Sequence, residues 1–161
     1  MSYEWRNLDP AVRARIEEFQ DAPPIRLPDL ARALGVPIKA ATLAPGISGE
    51  IRPVDGGFVI RVNRHDPPKR QRFTVAHELA HFLLHRDQIG TGIEDDVLYR
   101  SNLSDIREQQ ANRLAADILM PSALLAEAKD AAEEKGVGDV VLYLADLFGV
   151  SEAAMSIKVE K

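Results

Sequence analysis

The chain has 161 residues, 45% of them hydrophobic and 28% charged, a composition that suits one folded domain and excludes disordered or fibrous classes. Its net charge is −5 without a dense Lys/Arg block, so a strong phosphate-binding surface and direct nucleic-acid binding are not expected. No cysteine is present, which removes disulfides and thiolate metal sites together and leaves histidine and carboxylate as the good metal ligands.

No apolar run approaches the ~18 residues that cross a membrane. The start, Met1-Ser2-Tyr3-Glu4-Trp5-Arg6, lacks a signal peptide's order of charge followed by an apolar run, and together these predict a cytoplasmic protein without membrane contact.

Residues 10–19 read as a short amphipathic helix, with Val12, Ile16 and Phe19 at helical spacing, and Asp21-Ala22-Pro23-Pro24 ends it. A second short helix over 27–34 closes at Gly35. The pattern then changes to strands at 38–43, 47–51 and 58–62, separated by Ala44-Pro45-Gly46 and by Pro53-Val54-Asp55-Gly56-Gly57. This spacing predicts an antiparallel sheet. In the last strand Phe58, Ile60 and Val62 form an apolar face that can pack on the following helix.

Residues 72–85, Arg-Phe-Thr-Val-Ala-His-Glu-Leu-Ala-His-Phe-Leu-Leu-His, contain H-E-x-x-H. On a helix, at about 100° per residue, Thr74, His77, Glu78, His81 and His85 share one arc of about 100° while apolar side chains fill the rest. Asp66 reads as the N-cap and Pro67 as the first helical residue.

Burying three imidazoles and a carboxylate in one stripe is unfavourable without a compensating charge, which a divalent metal supplies. His77 and His81, at i and i+4, can both reach one Zn²⁺, and Glu78 is then placed to take a proton from the water that zinc activates. The plain alternative is a pair of satisfied core histidines around a chance glutamate; the apolar flanks and the clean helix start favour zinc. His85 lies two turns from His77, about 12 Å along the axis, and so cannot share an ion with both other histidines. It reads as a helix C-terminal histidine favoured by the dipole, with a substrate contact as the alternative.

Residues 87–104 are polar and long for a connection, fitting either a lid or a solvated loop. A helix over 105–120 follows, stopped by Pro121. Measured from Ile106, the residues Ala111, Leu114, Ala115, Ile118 and Leu119 occupy roughly 80° to 220° of its wheel, with Glu108 inside that arc and Asp105 and Asp117 off it. Glu108 is therefore the one carboxylate this helix is expected to carry toward the core, where it needs a cation. A capping box of Asp105 with Glu108 is the alternative.

The extended pattern H-E-x-x-H-x-x-G-x-x-H would need Gly at 84 and His at 87, where Leu84 and Asp87 stand. A downstream carboxylate remains, with Glu108 preferred over Asp95, Asp96 and Asp105. Beyond it, a helix over 122–135 precedes helix, short turn and helix over 139–148, Gly149-Val150-Ser151 and 152–159, which is helix-turn-helix spacing. The second of these helices carries almost none of the Arg, Asn or Gln that reads base edges, so a structural or protein-docking pair is expected rather than a DNA reader.

The segment Arg72-Phe73-Thr74-Val75-Ala76-His77-Glu78-Leu79-Ala80-His81, followed by Glu108-Gln109-Gln110-Ala111-Asn112-Arg113-Leu114-Ala115-Ala116-Asp117-Ile118-Leu119-Met120-Pro121, resembles the ImmA/IrrE family of zinc metallopeptidases, over most of the chain. The resemblance implies an α+β, gluzincin-like (zincin) fold, with a small antiparallel sheet on the H-E-x-x-H helix. In that fold residues 1–121 form the core and 122–161 a helix-turn-helix-like subdomain.

It implies His77, His81 and Glu108 as ligands of Zn²⁺, with Mn²⁺ as a substitute in vitro, and Glu78 as catalytic base. It further implies a protein substrate: a helix-turn-helix repressor of the XRE type encoded nearby, in stress response, mobile-element control or toxin–antitoxin settings. The chain departs from larger members in stopping soon after its C-terminal helices, without an additional sensory domain.

Tyr99, Arg100 and His85 are candidate oxyanion or substrate contacts. Strand Phe58, Val59, Ile60, Arg61 and Val62, taken as the sheet edge nearest the cleft, is a candidate for aligning substrate by strand addition. Two other readings stand beside the protease: a non-catalytic, zinc-stabilised module that binds a repressor or toxin, and a DNA-binding regulator using Gly149-Val150-Ser151. Glu78 favours the protease, because structure alone does not need that base.

Overall fold

A computed structural model describes residues 1–96 and 105–160. Two helices absent from or longer in the sequence pattern begin the chain: α1 (Tyr3–Arg6), which sequence periodicity missed because it is a single turn, and α2 (Pro10–Glu17), capped by the Asp9 carboxylate. Helix α3 (Leu27–Ala33) leads into strands β1 (Ile38–Ala41), β2 (Ile47–Val54) and β3 (Gly57–Asn63). Then come α4 (Pro68–Leu84), a 3₁₀ turn at Arg86–Gln88, β4 (Ile93–Asp96), α5 (Asp105–Leu119), α6 (Ser122–Glu134), α7 (Val140–Phe148) and α8 (Glu152–Val159). The fold is α+β.

The sheet order is β1-β3-β2-β4, with β1 parallel to β3 and the other pairs antiparallel. It is therefore a mixed sheet and not the antiparallel one expected. Strand β3 lies inside it, bonded on both sides, so residues 58–62 are not an edge and cannot add a substrate strand. Neighbouring residues Val59 and Ile60 point to opposite faces and both are buried, so β3 is also covered on both faces. The edge that the sequence hid is β4, within the segment read as a loop. Its one apolar anchor, Ile93, pairs with Ile51, and its remaining residues, Glu-Asp-Asp, carry no alternating pattern.

Helix α4 starts at Pro68, one residue later than expected, with Pro67 extended at the N-cap (φ −58, ψ 150) and no side-chain cap from Asp66. Two prolines in a row account for the shift, since the ring of Pro68 disfavours the α conformation at the residue before it. Gln71 substitutes for a cap by donating its amide to the Asp66 carbonyl at 2.8 Å.

Helix α4 lies across β2 and β3, burying Val75, Ala76, Leu79 and Ala80 with Ile51, Ile60 and Val62, while Phe82 meets Phe58 edge-on at 5.6 Å. The close approach needs Gly49: a Cβ there would overlap Thr74 Cγ2. Against the rest of α4 packs α5, through the fully buried Ala111 and Ala115, whose small side chains bring the two helices together. Leu125, Leu144, Phe148, Val150 and Met155 from α6, α7 and the turn to α8 join the same core. Gly149, left-handed at φ +69, closes α7, with the Arg72 side chain packed where a Cβ would stand. Among the described residues no single helix is long and apolar enough to cross a membrane; α7 and α8 reach that composition only as a pair bent by 112°.

Candidate metal centre

Three side chains from two helices converge. His77 and His81 come from α4, one turn apart, and their Nε2 atoms lie 3.1 Å from each other. Glu108 of α5 brings Oε2 to 3.0 Å from His77 Nε2 and Oε1 to 3.0 Å from His81 Nε2. All three residues are buried, and their ligand atoms fall within 4.8 Å of one another. Glu108 thus spends its carboxylate on the two imidazoles of the neighbouring helix.

The electrostatics follow from burial. His81 is fully enclosed, and desolvation pushes its pKa below the ordinary histidine value even though the Glu108 carboxylate pulls the other way, so the neutral imidazole is the favoured form. A neutral ring has a lone pair to give. Glu78, next to His77, is fully buried, and neither carboxylate oxygen has a hydrogen-bond partner among the described residues. An orphaned carboxylate in a protein interior is strongly unfavourable, more so than an unpaired amide or hydroxyl, unless something else satisfies it. Two imidazoles, one carboxylate and an adjacent unsatisfied carboxylate fit a divalent cation with three protein ligands and an open coordination position.

His85 stands at the C-terminal end of α4, where the helix-end reading put it. It leaves helical geometry at the end of α4 (φ −130, ψ 29) and turns its ring back on His81, with Nδ1 to Nδ1 at 3.0 Å. Its Nε2 lies 2.9 Å from Gln110 Oε1 on α5, and the ring is buried, so it does not reach the cleft. Nothing in the local pattern singled out Gln110, because its role depends on where α5 crosses α4. Tyr99 and Arg100 lie outside the described residues.

A cleft of about 1400 Å³ is lined by His77, Glu108 and Phe73, by Ala154, Ile157 and Lys158 of α8, and by Ser2 and Glu4. Asp117, placed off the buried arc by the helical wheel, is in fact 2% exposed. It accepts hydrogen bonds from the Ser2 backbone at 2.9 Å, from the Ser2 hydroxyl and from the Lys158 ammonium, tying the start of α1 and helix α8 to α5. Its partners lie 115 and 41 residues away, beyond what a helical wheel can see. Beside it, Arg113 grips Glu4 through two hydrogen bonds, at 2.7 and 2.9 Å, and this partner holds the Glu4 carboxyl below the usual carboxylate range.

Residues 31–160 match the IrrE N-terminal-like domain family. The radiation response metalloprotease IrrE of Deinococcus radiodurans is 36% identical over an alignment 91 residues long that covers 52% of this chain and 28% of that protein. The radiation response metalloprotease IrrE of Deinococcus deserti is 39% identical over 67 residues, 42% of this chain and 24% of that protein. A Mycobacterium tuberculosis transcriptional regulator of known structure superposes with a TM-score of 0.59 at 21% identity, over 99% of this chain and 49% of that one. That likeness shows a shared fold. The chain spans about a quarter of the curated relatives it matches and about half of the structural one. With 130 residues matched and His77, His81 and Glu108 gathered at one point, the chain belongs to the ImmA/IrrE family of metallopeptidases.

Proposed function

We propose that the protein is a zinc-dependent endopeptidase that cuts a specific protein substrate, a helix-turn-helix repressor of the XRE type, within a zincin-type active site. The observation that carries the reading is the convergence of His77, His81 and Glu108 beside the buried carboxylate of Glu78, which has no hydrogen-bond partner among the described residues. Bound by those three residues, Zn²⁺ would acidify a water molecule and polarise the scissile carbonyl.

Glu78 takes a proton from the attacking water on one carboxylate oxygen and returns it to the departing amine nitrogen, which leaves the carboxylate as it began. Glu108 and the neutral His81 hold the site together while the proton moves.

A cleft of this size next to a sheet edge supports an extended peptide as substrate. Strand β4 is the edge in question: it pairs with β2 around Gly49, and Ser48 of that stretch lines the cleft. An extended segment can add to such an edge through its backbone, whereas a folded helix would have to unwind first, so cleavage falls in an exposed loop or inter-helix linker.

The test is to incubate the protein and Zn²⁺ with the repressor encoded beside it and to read the fragments by mass spectrometry, for wild type and Glu78→Gln. Fragments from wild type alone are expected. Intact repressor in both samples, with a stable complex on a sizing column, would overturn the protease and make the protein a binding module.

A further inference from the structure

We infer that His85 and Gln110 form a hydrogen-bonded relay that fixes the orientation and tautomer of His81, so that the bare Nε2 of His81 faces His77 and Glu108. This rests on the metal-site reading given above and names the residues that prepare one of its ligands.

The relay is read outward to inward. Gln110 Oε1 is a carbonyl oxygen and can only accept, so His85 Nε2, at 2.9 Å, carries the proton of that bond. A neutral imidazole with a proton on Nε2 presents Nδ1 as an acceptor. The atom 3.0 Å from His85 Nδ1 is His81 Nδ1, which must then be the donor. His81 is left with its lone pair on Nε2, the atom 3.0 Å from Glu108 Oε1 and 3.1 Å from His77 Nε2.

Run in the opposite sense, with the Gln110 amide reversed, the same three residues would place a proton on His81 Nε2, where a metal needs an electron pair. Metal binding and the relay thus select one another. Ligating histidines in metal sites commonly donate their second nitrogen to an outer partner, and loss of that partner lowers metal affinity about 10–100-fold. Here the outer partner is itself a histidine, and α5 supplies both the ligand Glu108 and the far end of the relay, Gln110. One helix therefore sets the ligand and the tautomer of the ligand opposite it.

The backbone makes this geometry available. His85 is the residue at which α4 stops, and its departure from helical angles lets the ring fold back onto His81 while its own N–H still reaches the His81 carbonyl at 2.7 Å. His85 is 3% exposed, so water does not compete for either nitrogen. It is a positioning residue: it acts on the site through His81 and does not line the cleft.

The experiment compares Zn²⁺ affinity, by competition with a chromogenic chelator, for wild type, His81→Ala, His85→Phe, His85→Gln, Gln110→Leu and Gln110→Glu. Imidazole ¹⁵N shifts of the Zn²⁺-loaded wild type are recorded alongside. His85→Phe and Gln110→Leu are expected to bind Zn²⁺ about 10–100-fold more weakly. Gln110→Glu, which keeps an acceptor, should stay near wild type, and His85→Gln, whose amide oxygen can take the His81 proton, should recover part of the loss.

The spectrum should show a proton on His81 Nδ1 and on His85 Nε2. A His85 ring protonated at Nδ1 alone, or unchanged Zn²⁺ affinity in both His85→Phe and Gln110→Leu, would overturn the relay. Because Gln110 is only half-buried, its variants keep the test open if His85→Phe does not fold. Wild type and His81→Ala binding Zn²⁺ equally would instead overturn the metal site, so the two failures are distinguishable.

Discussion

Glu108 Oε2 stands 3.0 Å from His77 Nε2, joining two helices whose partners are 31 residues apart in the chain. The contact is buried on both sides, so the carboxylate has been taken out of water to serve two imidazoles. Such a group is far more valuable as a ligand than as a cap. Glu108→Gln should therefore weaken Zn²⁺ binding by orders of magnitude, since one of three protein ligands loses its charge. Asp105→Asn, on the exposed first turn of α5, should leave metal content unchanged. Equilibrium metal titration of the two variants checks this. A Glu108→Gln protein with normal Zn²⁺ content and a stability loss of about 0.5–2 kcal/mol would show that Glu108 is a helix cap instead.

Glu78 is not within the cluster that converges on His77 and His81, which separates its role from theirs. Glu78→Gln should keep Zn²⁺ and lose hydrolysis, by at least the 10²–10⁴-fold, roughly, that a positioned general base contributes. Metal content measured by emission spectroscopy and cleavage measured on the same preparation would reveal the split. Wild-type cleavage by Glu78→Gln removes Glu78 from the mechanism.

Arg113 lowers the pKa of Glu4 through paired hydrogen bonds, and this makes a pH-dependent contribution to stability. The unfolded carboxyl titrates near about 4.3, and the folded one lower. The stabilisation is therefore complete above about pH 4.3 and disappears as the pH falls through the folded value. Because the Arg113 side chain is 45% exposed, solvent screens the pair, and about 1 kcal/mol is a fair size. Glu4→Gln should lower the unfolding free energy by about that amount at pH 7, and the gap from wild type should close in acid. A gap that stays constant from pH 7 to pH 3 would assign the loss to packing.

What the sequence revealed best were features written in local spacing. His77 and His81 needed only a helical period, and Glu108 only its place on an apolar arc. What it hid depended on contacts between distant segments. Strand β4 has one apolar residue to announce it, and its existence rests on the β2 ladder. The interior position of β3 was hidden too: the turn at 44–46 suggested a simple hairpin, whereas the chain skips a place and lets β3 pair with β1. Asp117 and Gln110 were invisible for the same reason. Their partners, Ser2, Lys158 and His85, are brought to them by packing of α1, α8 and α4 against α5.

The spacing between sheet and metal helix can itself be tested. Gly49 of β2 lies under Thr74, one turn before His77, and a methyl group there would collide with Thr74 Cγ2 while also lying 3.1 Å from the Arg61 carbonyl. Overpacking of this kind costs about 1–3 kcal/mol, because neither a β-strand inside a sheet nor a helix buried on both sides can yield freely. Gly49→Ala should destabilise by that amount in chemical denaturation and should also weaken Zn²⁺ binding, as α4 is pushed from the position that lets His77 meet Glu108. Thr74→Ser removes the offending methyl and keeps the hydroxyl. Combined with Gly49→Ala, it should restore much of both losses, giving a favourable coupling between the two sites in a double-mutant cycle. Strictly additive effects would show that Gly49 matters for its backbone alone, and that the distance between β2 and α4 is set elsewhere.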